Sequence, residues 1–280
     1  MPIYNPKSYF RFIRNRFEKY RCSLQPNLRG ALFYPPGHFY SPLLDIQGLG
    51  PNDSNLSFDG AEWWENVNLR PAEQRSYYED LLDRFPVLPF PSRKTNGFRY
   101  YIENDYLPLS DAFTLSGIIQ KEKPRKIIEI GSGFSSAVML DTLDRINMSA
   151  ELTFIEPYPD RLYSLLSGRD RSTSTVLVQK VQEVCLSVFD QLEAQDLLFI
   201  DSSHVAKVGS DVTFILLRIL PRLKAGVLVH FHDIFYPFSY PVSWIRIGRA
   251  WNESLFLRAC LNNQDFDPGV EILHVCVIGR

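Results

Sequence analysis

The chain has 280 residues, of which 45% are hydrophobic, so it can bury one large core or a core with an extension. Its 30 basic and 32 acidic residues leave a formal net charge of −2. A balance of this kind provides no global basic field, which excludes nucleic acid or an acidic membrane as the main partner on charge alone.

The cysteines and the apolar runs indicate the compartment. Four cysteines stand apart without Cys-x-x-Cys spacing, which predicts reduced thiols rather than a disulfide framework or a zinc site. No apolar run reaches the roughly 18 to 20 residues that span a bilayer, and no apolar signal segment follows the N-terminus. We therefore expect a soluble, cytoplasmic protein without an integral membrane part.

Residues 1–104 are predicted to form an N-terminal extension. The first thirty residues mix basic and aromatic side chains in a pattern typical of an amphipathic helix. Residues 31–70 are rich in aromatic residues, Pro, Gly and Asn, which predicts an irregular covering. A helix with Pro71 in its first turn follows. We expect this extension to cover an acceptor pocket or to contact a second subunit.

Residues 105–280 are predicted to form an α/β domain. After a helix near residues 111–121, continuous Val, Ile, Leu and Phe runs of strand length alternate with segments of helix length. Such runs are typical of a parallel sheet that is buried on both faces. The sequence therefore predicts a Rossmann-like, doubly wound, mostly parallel sheet with helices on both faces. Its predicted strands are 126–130, 151–155, 175–179, 196–200 and 226–231, with a final helix near 249–261 and a strand near 270–278.

Polar residues follow these strands where each strand ends. The first strand runs into Gly131-Ser132-Gly133, the second ends in Glu156, the fourth in Asp201 and the fifth in His232-Asp233. The carboxyl ends of parallel strands lie along one sheet edge, where ligands bind. These residues therefore predict a single site.

The loop after the first strand indicates the kind of ligand. Gly131 and Gly133 allow a tight turn and a close approach to a ligand, whereas Ser136 stands where a third glycine would complete a dinucleotide fingerprint. Glu156 lies 25 residues after Gly131 and can accept hydrogen bonds from both hydroxyls of a ribose. A nucleoside-containing cofactor other than NAD is therefore favoured.

Four motifs in this order resemble one family. The stretches IIEIGSGFSS, TFIEPYP, DLLFIDSSH and LKAGVLVHFHDI resemble the class I S-adenosylmethionine-dependent methyltransferases, among them small-molecule and sugar O-methyltransferases of the macrocin type. The resemblance covers about residues 100–262. It implies that S-adenosylmethionine is the cofactor and gives eight candidate residues for binding it: Glu129, Gly131, Ser132 and Gly133 at the methionine portion, Glu156 at the ribose, Gln182 or Glu183 at the adenine, and Asp201 beside the sulfonium.

Two mechanisms for activating the acceptor follow from the residues at the strand ends. The resemblance implies a divalent ion, Mg²⁺ or another metal, held by Asp201, His232 and Asp233, although the nitrogen of His232 suits Mg²⁺ less well than an oxygen would. The alternative is general base catalysis by His204 or His232, whose ordinary pKa of about 6.5 suits proton removal at neutral pH. Asp201, His204 and His232 are thus the candidate catalytic residues.

The partner expected from this interpretation is a small hydroxyl compound, such as a sugar, and an exposed sheet edge would favour a homodimer.

Two other functions stay open at this stage. One is an NAD-dependent oxidoreductase or epimerase on a related sheet, which the missing third glycine disfavours. The other is a binding protein without catalysis, which the cluster of Asp201, His204, His232 and Asp233 disfavours.

Overall fold

The computed structural model describes residues 34, 36–49, 67, 69–86, 89–236 and 238–261. Within these ranges no helix combines the length and the apolar composition needed to cross a membrane. The predicted N-terminal amphipathic helix and the predicted strand near 270–278 lie outside the described residues.

The chain divides into two compact units. The smaller unit combines residues from 1–57 with the segment 241–250, and the larger unit combines 58–240 with 251–280. In the smaller unit the described residues include a short helical turn, Ile46–Gly48, and the helix α7, Val242–Arg246. All predicted site residues belong to the larger unit. The boundary expected after residue 104 stays a prediction.

Within the described residues, the larger unit is a five-stranded sheet with helices, as the sequence predicts. Its strands are β1 (Lys126–Ile130), β2 (Glu151–Ile155), β3 (Thr175–Leu177), β4 (Leu197–Ile200) and β5 (Leu228–Phe231). Its α-helices are α1 (Pro71–Arg84), α2 (Leu109–Glu122), α3 (Phe134–Arg145), α4 (Asp160–Leu165), α5 (Gly168–Thr173), α6 (Asp211–Phe214) and α8 (Glu253–Leu261). Tighter or wider helical turns occupy Val181–Glu183, Leu186–Gln191, Ile215–Ile219 and Leu220–Arg222.

The described strands pair in the order β3-β2-β1-β4-β5, and every pair is parallel. The strand order reverses between β1 and β4, because the chain winds outward from β1 to β3 and then returns to the other side. In open α/β sheets this reversal creates the crevice in which ligands bind. The confirmed fold is a Rossmann-like α/β fold with its crevice at the carboxyl ends of β1 and β4.

Both faces of the sheet are covered, which explains why its strands read as continuous apolar runs. Successive side chains of a strand point to opposite faces. Ile127 accordingly packs in one core cluster with residues of α2 and α3, while Ile128 packs in the other with residues of α8 and the turn Ile215–Ile219. Most residues within the strands are therefore apolar, and the polar residues that follow the strands form the site.

Candidate functional site

A cavity of about 230 Å³ lies at the carboxyl ends of β1, β2 and β4. Its lining includes five of the predicted cofactor residues. They are Gly131, Ser132, Gly133, Glu156 and Asp201. The remaining lining residues, which the sequence analysis did not assign, are Tyr106, Leu107, Phe134, Ser135, Arg161 and Ser202.

Gly131 sets the shape of the loop between β1 and α3. Its φ of +81° is a left-handed conformation that favours glycine, and a Cβ atom at this position would lie 1.9 Å from the carbonyl oxygen of Asp201. Its amide donates to the carbonyl of Ile155 at 3.0 Å. The loop therefore crosses close over the ends of the neighbouring strands β2 and β4, and only glycine fits there.

Glu156 holds the same loop from the side. Its carboxylate accepts hydrogen bonds from the backbone N–H of Ser132 at 3.0 Å and from that of Tyr158 at 2.8 Å. Each carboxylate oxygen has capacity for a second donor. Glu156 thus lines the cavity with free acceptor capacity, as the predicted contact to a ribose diol requires.

Glu129 lies beneath the loop and is fully buried. The hydroxyl of Ser136 donates a short hydrogen bond to it, and Ser136 also accepts from the backbone N–H of Gly133 at 3.0 Å. Burial raises the pKa of Glu129 to about 8, against hydrogen bonds from Ser135, Ser136 and Ser132 that lower it. Glu129 thus lies beneath the loop and outside the lining of the cavity, and its assignment to the methionine portion stays a prediction.

Gln182 and Glu183, the candidates for the adenine contact, do not belong to the cavity lining. They lie in the turn Val181–Glu183 that follows β3. The side chain of Gln182 donates to the carbonyl of Gly209 at 3.0 Å, and the carboxylate of Glu183 accepts from the N–H of Lys180 at 3.4 Å. Both are engaged in local contacts, and their assignment to the adenine stays a prediction.

The strand register explains why Asp201 and His232 meet. Ile200 of β4 is the partner of Phe231 of β5, so the next residues of the two strands are neighbours. The N–H of His232 donates to the carbonyl of Ile200 at 2.9 Å, which fixes this alignment beyond the end of β5. The Nδ1 atom of His232 lies 3.6 Å from Oδ1 of Asp201 and 3.7 Å from Oδ2 of Asp233.

His204 completes a cluster of four residues. Its Nε2 atom lies 3.4 Å from Oδ1 of Asp201 and 4.0 Å from Oδ2 of Asp233. Both His204 and Asp233 have left-handed backbones, with φ values of 58° and 54°. Such conformations are uncommon in residues other than glycine and are often found at functional sites. We call Asp201, His204, His232 and Asp233 the His–Asp cluster.

Two further carboxylates contact the His–Asp cluster from outside. Oδ2 of Asp111, in the first turn of α2, lies 3.0 Å from Nε2 of His232, and Oε2 of Glu253, in the first turn of α8, lies 2.8 Å from Nδ1 of His204. The sequence analysis missed both residues, because an acid in the first turn of a helix is common. No local signal separates such an acid from one that contacts a histidine.

The charges of the cluster depend on one another. Burial raises the pKa of Asp201, but the charge of His232 and a hydrogen bond from His204 hold it well below its usual range. Burial lowers the pKa of His204, yet hydrogen bonds to Asp201 and Glu253 raise it to about 9. Burial also lowers the pKa of His232, but Asp201 and Asp111 raise this pKa well above its usual value. Burial raises the pKa of Asp233.

Within the described residues, Asp111, His232 and Asp233 form a group that could hold a metal ion, since each offers a ligand atom within 4.8 Å of the others. Asp201 and His204 adjoin this group at the distances given above. The predicted metal ligands thus lie close together, with His204 and Asp111 beside them.

Comparisons with known proteins match part of the chain to a methyltransferase family. A family model described as "Methyltransferase domain" matches residues 128–234. An uncharacterized protein of Archaeoglobus fulgidus is 32% identical over 170 residues, which cover 57% of this chain and 74% of the relative.

Two solved structures are similar at low identity. One, described as "cmcI-D160 Mg-SAM", has a TM-score of 0.38 and 16% identity, covering 64% of this chain and 73% of that chain. The other, an SAH-bound Podospora anserina methyltransferase, PaMTH1, has a TM-score of 0.38 and 15% identity, covering 75% of this chain and 87% of that chain. On the family match, residues 128–234 form a methyltransferase domain of the class I S-adenosylmethionine-dependent type.

Proposed function

We propose that this methyltransferase transfers the methyl group of S-adenosylmethionine to an oxygen of a small hydroxyl compound, such as a sugar. The observation that carries the proposal is the cavity in which the glycine loop, Glu156 and Asp201 come together. Methyl transfer is an in-line displacement, so the protein mainly has to align the acceptor with the methyl carbon and to remove the acceptor's proton.

The charged residues of the cavity complement the parts of the cofactor. Glu156 can accept from the ribose hydroxyls, and Asp201 can face the positive sulfonium. Among the described residues that line the cavity, Arg161 is the single basic one, and its guanidinium lies 3.7 Å from the centre of the Tyr106 ring. We assign to Arg161 the carboxylate of the methionine portion, since a guanidinium held over an aromatic ring keeps its donors for an anion.

Activation of the acceptor is assigned to the His–Asp cluster. During transfer the methyl–sulfur bond breaks as the methyl–oxygen bond forms, the bonding pair stays on sulfur, and the acceptor's proton must leave. A divalent metal bound at Asp201, His232 and Asp233 would lower the pKa of the acceptor hydroxyl. Geometry favours a metal over direct proton removal by an imidazole, because both histidines are buried and neither belongs to the cavity lining.

Calorimetry with two ligands tests the cofactor assignment. S-adenosylhomocysteine contains the ribose and the amino acid, whereas 5′-methylthioadenosine contains the ribose and lacks the amino acid. We expect Glu156→Gln to weaken the binding of both ligands by about tenfold or more, because the ribose of each ligand loses its charge-assisted hydrogen bonds to the carboxylate. We expect Arg161→Met to weaken S-adenosylhomocysteine by a similar factor and to leave 5′-methylthioadenosine unchanged. Absence of binding to the unsubstituted protein would refute the cofactor assignment.

A labelling experiment tests the class of acceptor. The protein is incubated with S-adenosylmethionine labelled in its methyl group and with a small-molecule extract, and the products are separated by size. We expect the label in the low-mass fraction as a base-stable methyl ether. Label in the protein or nucleic acid fraction would contradict a small acceptor.

A further inference from the structure

The His–Asp cluster alternates nitrogen and oxygen atoms around a common centre. His204 and His232 each direct one ring nitrogen towards both Asp201 and Asp233, at distances between 3.4 and 4.0 Å. Ligand atoms about 2.1 Å from one metal ion and at right angles to each other lie about 3 Å apart. Each pair would have to close by at most about 1 Å, which side-chain rotations can supply.

Both imidazoles are oriented from behind by a carboxylate. The outward nitrogen of His204 lies 2.8 Å from Glu253, whose other oxygen accepts from the hydroxyl of Ser202 at 2.8 Å. The outward nitrogen of His232 lies 3.0 Å from Asp111, whose other oxygen accepts from the hydroxyl of Ser110 at 3.0 Å. Histidines that bind metals usually donate their second N–H to a carboxylate in this way, which turns the other nitrogen towards the metal.

The inward nitrogen of His232 gives an independent indication of a ligand. The His232 side chain is only 7% exposed, and its Nδ1 atom makes no hydrogen bond to any residue that the structure describes. A buried polar atom without a hydrogen bond is uncommon in folded proteins. This atom points towards Asp201 and Asp233, where a bound cation would satisfy it.

Asp111 is better placed as an outer carboxylate than as a ligand. Both of its oxygens already accept hydrogen bonds, one from Ser110 and one from His232. A metal on the Asp111 side of His232 would have to replace the contact that orients the ring. The inward side needs no such exchange.

We infer that His204 Nε2, His232 Nδ1, Asp201 and Asp233 bind one first-row transition-metal dication, such as Zn²⁺, Co²⁺ or Mn²⁺, in preference to Mg²⁺. Mg²⁺ prefers oxygen ligands in a near-octahedral arrangement, whereas imidazole suits the transition metals. The two nitrogens therefore determine the choice of metal. The inference deepens the proposed function and rests on it for the role of the metal, since Asp201 also lines the cofactor cavity.

Metal binding to the full chain, stripped of metal by chelation and studied without cofactor, tests the inference. Calorimetry is expected to show Zn²⁺ and Co²⁺ binding at least about 100-fold more tightly than Mg²⁺. Bound Co²⁺ should absorb in the visible range with a spectrum that changes when an imidazole ligand is lost. We expect His204→Gln and His232→Gln each to weaken binding of Co²⁺ by about 100-fold. Glu253→Gln should weaken it by only about tenfold, because Glu253 orients His204 and does not contact the metal.

The matched control is His38→Gln, which removes a histidine outside the cluster and should leave the affinity for Co²⁺ unchanged. Circular dichroism shows whether each variant is folded. If a histidine variant does not fold, Asp233→Asn takes its place, since we expect it to weaken binding of Co²⁺ about as much as His204→Gln does. Because cysteine thiols are the same in all variants, their contribution cancels in the comparison.

Three results would overturn the inference. One is Mg²⁺ binding as tightly as Co²⁺. Another is an affinity for Co²⁺ that His204→Gln and Asp233→Asn leave unchanged. The third is loss of binding in Asp111→Asn but not in Asp201→Asn, which would place the metal on the other side of His232. Failure of S-adenosylhomocysteine to bind would refute the proposed function and leave these metal measurements standing.

Discussion

Single residues near the cavity have different roles although they stand close together in the sequence. Glu129 and Gly131 are two positions apart, yet Glu129 is buried under the loop while Gly131 lines the cavity. The reason is that Glu129 still belongs to β1 and is covered by the loop, whereas Gly131 follows the strand and forms part of that loop. A carboxyl group in such a place affects folding through its ionisation.

The raised pKa of Glu129 gives a prediction for stability against pH. Its pKa is about 8 in the folded chain and 4.5 in the reference state, so between these values the folded chain retains a proton that the unfolded chain loses. The resulting stabilisation is full below about pH 4.5 and declines as the pH rises towards 8. As the pH rises from 6 to 8, the free energy of unfolding of Glu129→Gln should therefore increase by about 1 to 3 kcal/mol relative to that of the unsubstituted protein.

Urea unfolding at several pH values measures this change. The control is Glu73→Gln, an exposed residue in the first turn of α1, whose stability curve should run parallel to that of the unsubstituted protein. A parallel curve for Glu129→Gln would show that the buried carboxyl has an ordinary pKa.

At the scale of elements, the loop between β1 and α3 depends on the close approach of β4. Gly131→Ala would place a methyl group against the backbone of Asp201, and backbone atoms cannot move as a flexible side chain can. Gly97 offers a matched control, since its φ of +88° is similar but no atom of the described residues lies within 4 Å of the added Cβ. Both substitutions impose about 1 to 2 kcal/mol of backbone strain, and only Gly131→Ala adds a steric clash.

We therefore expect Gly131→Ala to lower the free energy of unfolding by about 2 kcal/mol more than Gly97→Ala does. Gly131→Ala should also abolish binding of S-adenosylhomocysteine, whereas Gly97→Ala should keep it. Unfolding in urea and calorimetry measure the two effects. Equal losses of stability in the two variants would contradict the clash.

At the scale of the whole molecule, the parts predicted from the sequence are those encoded by neighbouring residues. The strand β1 and its glycine loop form one continuous stretch, so their apolar run and turn residues indicate them directly. The contact of His232 with Asp111 joins residues 121 positions apart, and that of His204 with Glu253 joins residues 49 apart. Such pairs depend on how helices pack on the sheet, which hydrophobic periodicity does not specify.

Arg99 connects distant parts of the larger unit in the same way. Its guanidinium contacts Asp141 at 2.8 Å and Asp144 at 2.9 Å, both in α3, and Asp170 of α5 at 2.6 Å. Asp141 also accepts from the backbone N–H of Arg99 and of Tyr100. The side chains of Asp141 and Asp170 are almost completely buried, at 2% and 3% exposure, so their charges depend on Arg99.

Replacing Arg99 by Met would leave buried carboxylates without their cation. Because the loss of one partner from a buried ion pair costs about 3 to 5 kcal/mol, we expect Arg99→Met to lower the free energy of unfolding by that amount. Arg93→Met is the matched control, since Arg93 pairs with Glu103 while both side chains are more than half exposed, and such pairs contribute at most about 1 kcal/mol. Urea unfolding distinguishes the two, and similar small losses in both variants would mean that water, rather than Arg99, compensates Asp141 and Asp170.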